Sequence, residues 1–545
     1  MRRLPGLAPF AALALVFVTA ALVLTGSAFG ASSSSGGTLR INLQADTDYV
    51  DPALAYYQVS WQWEYSTCVK LLNYPDRGGQ AGSQLIPEAA ATLPKISKDG
   101  RTVTFTVPPN RFHFNTGEAV TARTFQFVAM RDLDPKMKAI NAAGFLSDVV
   151  GASAYSAGKA KTVPGIVLRG NTLTFKLAHA APDFLSRIAM PFFCALPLKT
   201  PIDSRGLQGS VPAAGPYYLK SWTPKQQFVL VRNPNYKGPR PHSFDSIVFT
   251  VGKSPDASLL EVKKGEADYA LDGVSPSAYG QLWNDYGPGH KDQRLFVNPV
   301  LSVDYLALNT SRPMFAKQPL RQAVAYVIDR TALLDQLGAH AGVPAEQLLP
   351  PTVLGYKPVR IYPLGTPTKA DLEKAKKLAA GSSGTVVLYT CNSGPCPGRA
   401  TLIQAYLAQI GLTVKVVSFE RSTQFQKEGQ RGEPFDIADE SWLADYADPV
   451  DFINVLLNGK GIADTGNTNF SYFDDPAWNK RMADAALATG KNRANLYAQL
   501  DAGLAVSSPI VPFAFPGQRD FFSGRIGCQT FSPAYGMDLG KLCLR

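Results

Sequence analysis

A strand–helix–strand run that leads into a carboxylate-rich loop constrains this chain more than any other feature. Residues 370–380 carry a helical spacing, and Thr385–Tyr389 then reads as a strand. Ala400–Ile410 returns to helical spacing, and Thr413–Ser418 alternates as a second strand. Two strands joined through a helix lie parallel in one sheet, with a right-handed crossover. This predicts an α/β protein, and the irregular alternation of strands, helices and Pro- and Gly-rich turns along the chain predicts several lobes. Ligands of open α/β sheets sit beyond the carboxyl ends of the strands. Phe435-Asp436-Ile437-Ala438 reads as the end of a further strand, and Ala444–Pro449 as the loop that follows it. Trp442 and Asp445 are thereby carried to the place where a ligand would sit.

The stretch from Phe435 to Phe452, FDIADESWLADYADPVDF, interleaves Asp436, Asp439, Glu440, Asp445, Asp448 and Asp451 with Trp442, Tyr446 and Phe452. Pro449 forbids a helix across its own position, and Asp is a weak helix former. Carboxylates beside aromatic faces suit a ligand with a positive amine, through charge-assisted hydrogen bonds and cation–π contact. The competing reading is a solvated acidic loop. Asp448 precedes Pro449 and reads as a turn residue.

At 545 residues the chain exceeds one core and implies two or three domains. The net charge of +11 raises nucleic-acid binding, but the basic residues are scattered singly. Lys374, Lys376 and Lys377 form the densest group, on a helix that also carries Asp371 and Glu373. The charge reads as general surface charge, with no nucleic-acid partner. Arg2 and Arg3 precede the apolar run Phe10–Leu24 and the small-x-small site Ala28-Phe29-Gly30. Residues 1–30 read as a signal peptide, with an uncleaved anchor as the alternative, and residues 31–37 as a flexible tether. No lipid-attachment cysteine follows, since the next is Cys68, and no later segment is apolar enough to span a bilayer. The protein is therefore expected outside the cytoplasm: secreted, periplasmic or on the cell surface.

The six cysteines of an exported chain read as disulfides: Cys391–Cys396 about a turn, Cys528–Cys543 about a short loop, and Cys68–Cys194 if their segments meet. Zinc is the competing reading, but no histidine lies near Cys391 or Cys528. Enzyme chemistry finds little support. His113, His179, His242, His290 and His340 lie in different predicted elements, and no nucleophile elbow, His-Glu-x-x-His or phosphate-binding Gly-rich motif is present. A secreted hydrolase using the 436–451 carboxylates is the alternative from another class.

Seven motifs in order resemble the family 5 extracellular solute-binding proteins, the dipeptide-, oligopeptide- and nickel-binding components of ABC importers. They begin with Val50-Asp51-Pro52 and the run LIPEAAATLPKISKDGRTVTFTVPPNRFHFNTGEAVTARTFQF from Leu85. Gly215-Pro216-Tyr217, Val229–Tyr236 (VLVRNPNY), Leu260–Tyr269 and Leu306–Asn309 with Leu320–Arg330 continue the series, and Trp442–Pro449 closes it. Val50 stands where the family has Leu, and Thr124 where it has Asp. The resemblance implies a bilobed, periplasmic-binding-protein-like α/β fold (type II, cluster C) with an inserted subdomain. Residues 38–76, 166–272 and 508–545 would form the first lobe, 77–165 the insert and 273–507 the second lobe. It implies a monomeric receptor without cofactor, binding a peptide or amine-bearing solute and delivering it to an ABC permease. A nickel-chelate or sugar receptor is the alternative on the same fold. Asp445 matches the position that holds a peptide's ammonium. Trp442, Tyr446 and Tyr217 are candidate pocket walls, one of Tyr217 and Tyr218 facing inward. Asp439 stands where some short-peptide binders have an Arg that meets the ligand carboxylate, which tilts the pocket toward cationic ligands.

Overall fold

The computed structural model describes residues 36–545; the signal-peptide reading and most of the tether lie outside the described residues. The expected strand–helix–strand unit is present as Gly384–Cys391, Cys396–Ala408 and Leu412–Phe419, with the two strands paired in parallel. Val386, Leu388, Ile403, Leu407 and Val414 bury their side chains between helix and sheet, which is what the two periods required. Ile437–Leu443 joins on the far side, parallel through Leu388↔Ile437 and Tyr389↔Ala438. It extends past the sequence expectation because Ser302–Leu308, buried along its whole length, pairs with it antiparallel to Ser302↔Leu443.

Three sheets organise the chain. A five-stranded sheet holds Thr38–Asn42 at its heart, parallel to Ser246–Thr250 and Tyr269–Ala270, with Gln227–Arg232 and Tyr217–Thr223 antiparallel beyond. A seven-stranded sheet contains the unit described above. A four-stranded antiparallel sheet is built from residues 95–106 and 166–176. Two pairings run across the expected lobe boundaries. Ile166–Arg169 and Thr172–Lys176 join Thr102–Thr106 in the small sheet, where Val103, Phe105, Leu173 and Phe175 share one buried face. Ile510–Phe521 joins the seven-stranded sheet between Leu295–Pro299 and Ser302–Leu308, because its first six residues are buried and need neighbours on both edges.

The helix Ala122–Asp132 begins at Thr121 as expected. Thr124, in the place of the usual Asp, closes its first turn by accepting the Thr121 N–H at 3.0 Å. All three disulfides are formed: Cys68–Cys194, Cys391–Cys396 and Cys528–Cys543, with Cα separations of 5.2, 5.4 and 5.5 Å. Among the described residues no helix is long and apolar enough to cross a membrane, and no cluster of side chains is arranged to hold a metal ion.

Candidate functional site

The loop after Ile437–Leu443 is fastened from within. Ala444 N–H donates to Leu301 O at 2.8 Å, prolonging the sheet by one residue. Asp445 N–H donates to Asp451 at 2.7 Å, and Asp448 accepts the Val450 N–H at 2.9 Å in the turn that Pro449 enforces. After Pro449 the chain coils at once, through Val450–Asn454 and Val455–Leu457. A helix thus starts beyond the proline instead of crossing it.

Most of the carboxylates in this stretch are consumed by the protein. Asp436 takes Arg312 at 3.3 Å and the Val387 N–H at 2.8 Å. Asp439 is 0% exposed and meets Arg399 at 3.3 Å and Thr390 at 3.1 Å. Arg399 also holds Asp304 at 3.0 Å, so one guanidinium faces two buried carboxylates. Burial raises the pKa of Asp439 and Asp304, the latter to about 6, while Arg399 pulls both back. Glu440, on the other face of the strand, takes Arg421 at 2.5 Å. Asp448 takes Arg493 at 2.6 Å. Asp451 is 1% exposed and faces inward to the backbone of the loop.

Asp445 is different. It is partly buried, and among the described residues no cationic side chain pairs with it. Its partner is the Tyr56 hydroxyl, which donates at 2.7 Å from a segment 389 residues away. Burial raises its pKa, and the Tyr56 hydrogen bond only partly offsets that. A carboxylate so placed gains from a cation arriving beside it. The surroundings are aromatic. Tyr56 packs against Trp61 and Phe192, with ring centroids 5.6 and 6.0 Å apart, and Phe145 bridges Phe192 to Tyr446 at 5.7 and 6.2 Å.

The other expected site residues divide. Trp442 lies on the strand opposite Val303, partly buried, with its indole N–H unpartnered. Tyr446 is brought beside Asp445 but is buried, donating to Asp183 at 3.1 Å. Asp439 is not available to a ligand, because Arg399 neutralises it inside the sheet. Tyr217 is elsewhere: it is 0% exposed in the core of the five-stranded sheet and donates to Phe244 O at 3.0 Å. Tyr218, its neighbour on the strand, is the less buried of the two. Tyr56, Trp61 and Phe192 escape sequence reasoning. Only the clustering of aromatics after Ala53-Leu54 signalled the first two.

Where the chain passes between the five- and seven-stranded sheets, a cavity of about 330 Å³ is lined by Gln58, Asp272, Val300, Gln518 and Arg519 among others. Gln58 lies two residues from Tyr56, and Val300 adjoins Leu301, whose carbonyl holds Ala444.

Residues 84–464, well over half the chain, match the family described as "Bacterial extracellular solute-binding proteins, family 5 Middle". The chain belongs to this family. It is an extracytoplasmic solute-binding protein, of a family whose members bind solutes and are not enzymes. The periplasmic oligopeptide-binding protein OppA of Escherichia coli strain K12 is 24% identical over 433 residues, covering 76% of this chain and 77% of its own. Heme-binding protein A of Haemophilus influenzae is 27% identical over 492 residues, covering 84% and 82%. The solved structure of clavulanic acid biosynthesis oligopeptide binding protein 2 superposes with a TM-score of 0.84 at 22% identity, over 94% of this chain and 96% of that one. This solute-binding protein therefore has the mixed α/β, cluster C fold that the seven motifs implied, and the hydrolase alternative falls with the family assignment.

Proposed function

We propose that the protein is the receptor of an ABC importer for a peptide or similar amine-bearing solute, which it binds between two lobes and delivers to a membrane permease. The family leaves the solute open, since relatives' names include both oligopeptides and heme. The observation that carries the amine reading is Asp445. It is the carboxylate of its stretch that is partly exposed, lacks a cationic partner among the described residues and stands among aromatic rings. An ammonium group placed there replaces lost water with a charge-assisted bond and a ring face.

The strand pairing supports a division close to the sequence reading. The first lobe would hold the five-stranded sheet with the chain after Phe521, the insert the small sheet, and the second lobe the seven-stranded sheet with Ile510–Phe521. The chain crosses between lobes near residues 271–300 and 517–522, so these segments would carry hinge closure. Native mass spectrometry of protein purified from its own host identifies the retained solute. Calorimetry with that solute on Asp445→Asn then tests the pairing. Unchanged affinity would leave a neutral solute, such as a sugar, as the better reading.

A further inference from the structure

A second cavity, about 740 Å³ in volume, lies between the small sheet and the two helices Pro476–Leu487 and Gly490–Ser507. Its walls are Leu85, Ile96, Val103 and Leu185 on one side, and Leu354 and Leu487 on the other. Three of these are large aliphatics left open to solvent: Ile96 is 51% exposed, Leu354 45% and Leu487 55%. Isolated exposed leucines are ordinary, but three lining one concavity of ligand size are not. Of the charges in the wall, Lys98 and Asp99 are solvent-exposed, and the buried pair is matched. Arg493 donates to Asp448 at 2.6 Å and to the carbonyl of Ala486 at 2.8 Å, so neither side of the pair seeks an ion. An uncharged, apolar occupant fits this lining.

The cavity is tied to the Asp445 loop by sequence and by contact. Ala447 and Asp448 line it, two and three residues beyond Asp445. Between them Tyr446 donates to Asp183 at 3.1 Å, and Ala180, Ala181 and Pro182, just before Asp183, form the opposite wall. Asp445 and the cavity thus border the same short loop, on either side of Tyr446 in sequence. We propose that this cavity is a second subsite, which takes a bulky apolar, uncharged group of the solute while Asp445 holds its amine. The proposal rests on the amine reading for its pairing of the two subsites, but the cavity's own preference can be measured without it.

The probe is N-phenyl-1-naphthylamine, neutral and apolar, whose fluorescence rises on leaving water. It is titrated into the full chain. Saturable binding is expected. Leu487→Glu and Ile96→Glu, both at solvent-open positions that tolerate the change, should each weaken it by about tenfold or more, through a lost apolar wall and an unpaired carboxylate. Leu260→Glu, on an equally exposed leucine of the distant helix Pro255–Lys264, should leave it unchanged. Asp445→Asn should also leave it unchanged. Absence of saturable binding overturns the subsite, as does equal binding by the Leu487 and Ile96 variants. Loss of probe binding in Asp445→Asn would place the probe in the amine site and overturn it as well. If the probe behaves as expected while Asp445→Asn keeps full affinity for the native solute, the amine reading fails and the apolar subsite stands.

Discussion

Asp439 and Asp445 lie six residues apart in one acidic stretch, and the fold gives them opposite duties. Asp439 sits on a strand with sheet on both edges, and its side chain enters the layer between sheet and helix, where Arg399 waits. Asp445 sits one residue past the last sheet hydrogen bond, where the chain turns and, among the described residues, the side chain meets only the Tyr56 hydroxyl. A run of acids therefore does not define a binding site. What matters is whether the protein supplies the countercharge itself. Strand positions do so because a buried carboxylate without a partner costs several kcal/mol, of order. A loop at the sheet's end can leave one carboxylate for a ligand.

The strongest way to break this contrast is to remove the internal cation. Arg399→Leu leaves Asp439 and Asp304 buried with no charge partner, and folding stability should fall by about 3–5 kcal/mol. Urea denaturation measures it. A loss under about 1 kcal/mol would mean that water reaches the pair, and that Asp439 is more like Asp445 than the geometry shows.

Asp445→Asn is the mirror experiment. Affinity for an amine solute should drop by about 2–5 kcal/mol, as when one partner of a desolvated charge pair is lost. Folding stability should barely move, since this carboxylate pairs with no cation among the described residues. Acidification should act in the same direction as the substitution. The pKa of Asp445 is raised by burial, so its charge, and the affinity with it, is lost as pH falls through a value above the ordinary carboxylate range. Calorimetry on both proteins across pH reads this, and the Asn variant should show the weaker pH dependence.

How much of this contrast was legible in the sequence follows from the range of the interactions. The parallel unit from Gly384 to Phe419 was readable because period-2 and period-3.6 patterns are local. The loop was readable because Pro449 and the surrounding Asp residues act on their own backbone. The sheet that residues 510–521 join was not legible, because nothing in an apolar strand says which sheet will pair with it. Asp439 was read as a ligand residue because Arg399, its partner, is 40 positions away on a helix whose register the sequence does not fix. Tyr217 was included because alternation shows that one of two adjacent tyrosines turns inward, not whether inward is a cleft or a core. Tyr56 was missed for the same reason: its use depends on a contact spanning 389 residues.

The fully buried carboxylates predict a pH dependence of folding opposite in sign to that of binding. Asp501 accepts from Gln347 at 2.6 Å and from the Leu348 N–H at 2.9 Å, and burial raises its pKa to about 7. Asp304 and Asp520 are each raised to about 6, chiefly by burial. The folded state thus holds protons that the unfolded chain has released, from about pH 4 up to these values, so stability falls as pH rises through that window. The urea midpoint should be higher at pH 5 than at pH 8, Asp501 alone contributing about 2–3 kcal/mol of stability. Asp501→Asn should flatten the dependence. A midpoint that rises from pH 5 to pH 8 would show these groups ionised with adequate partners.

The smallest expected effect belongs to Tyr56→Phe, and it sharpens the contrast most finely. The ring should stay where it is, since its contacts with Trp61 and Phe192 do not involve the hydroxyl. Only the 2.7 Å hydrogen bond to Asp445 is lost. Two consequences oppose each other. Asp445 loses the group that orients it, and it gains a free lone pair for an ammonium. The net change in solute affinity should therefore stay within about 1 kcal/mol, the size of one hydrogen bond exchanged for another. A loss as large as that of Asp445→Asn would show that Tyr56 itself contacts the solute. The double substitution Tyr56→Phe with Asp445→Asn separates these cases. If the hydroxyl acts only through Asp445, removing it from the Asn variant should cost much less than removing it from the wild type, and the coupling in that cycle measures how far Tyr56 positions the carboxylate.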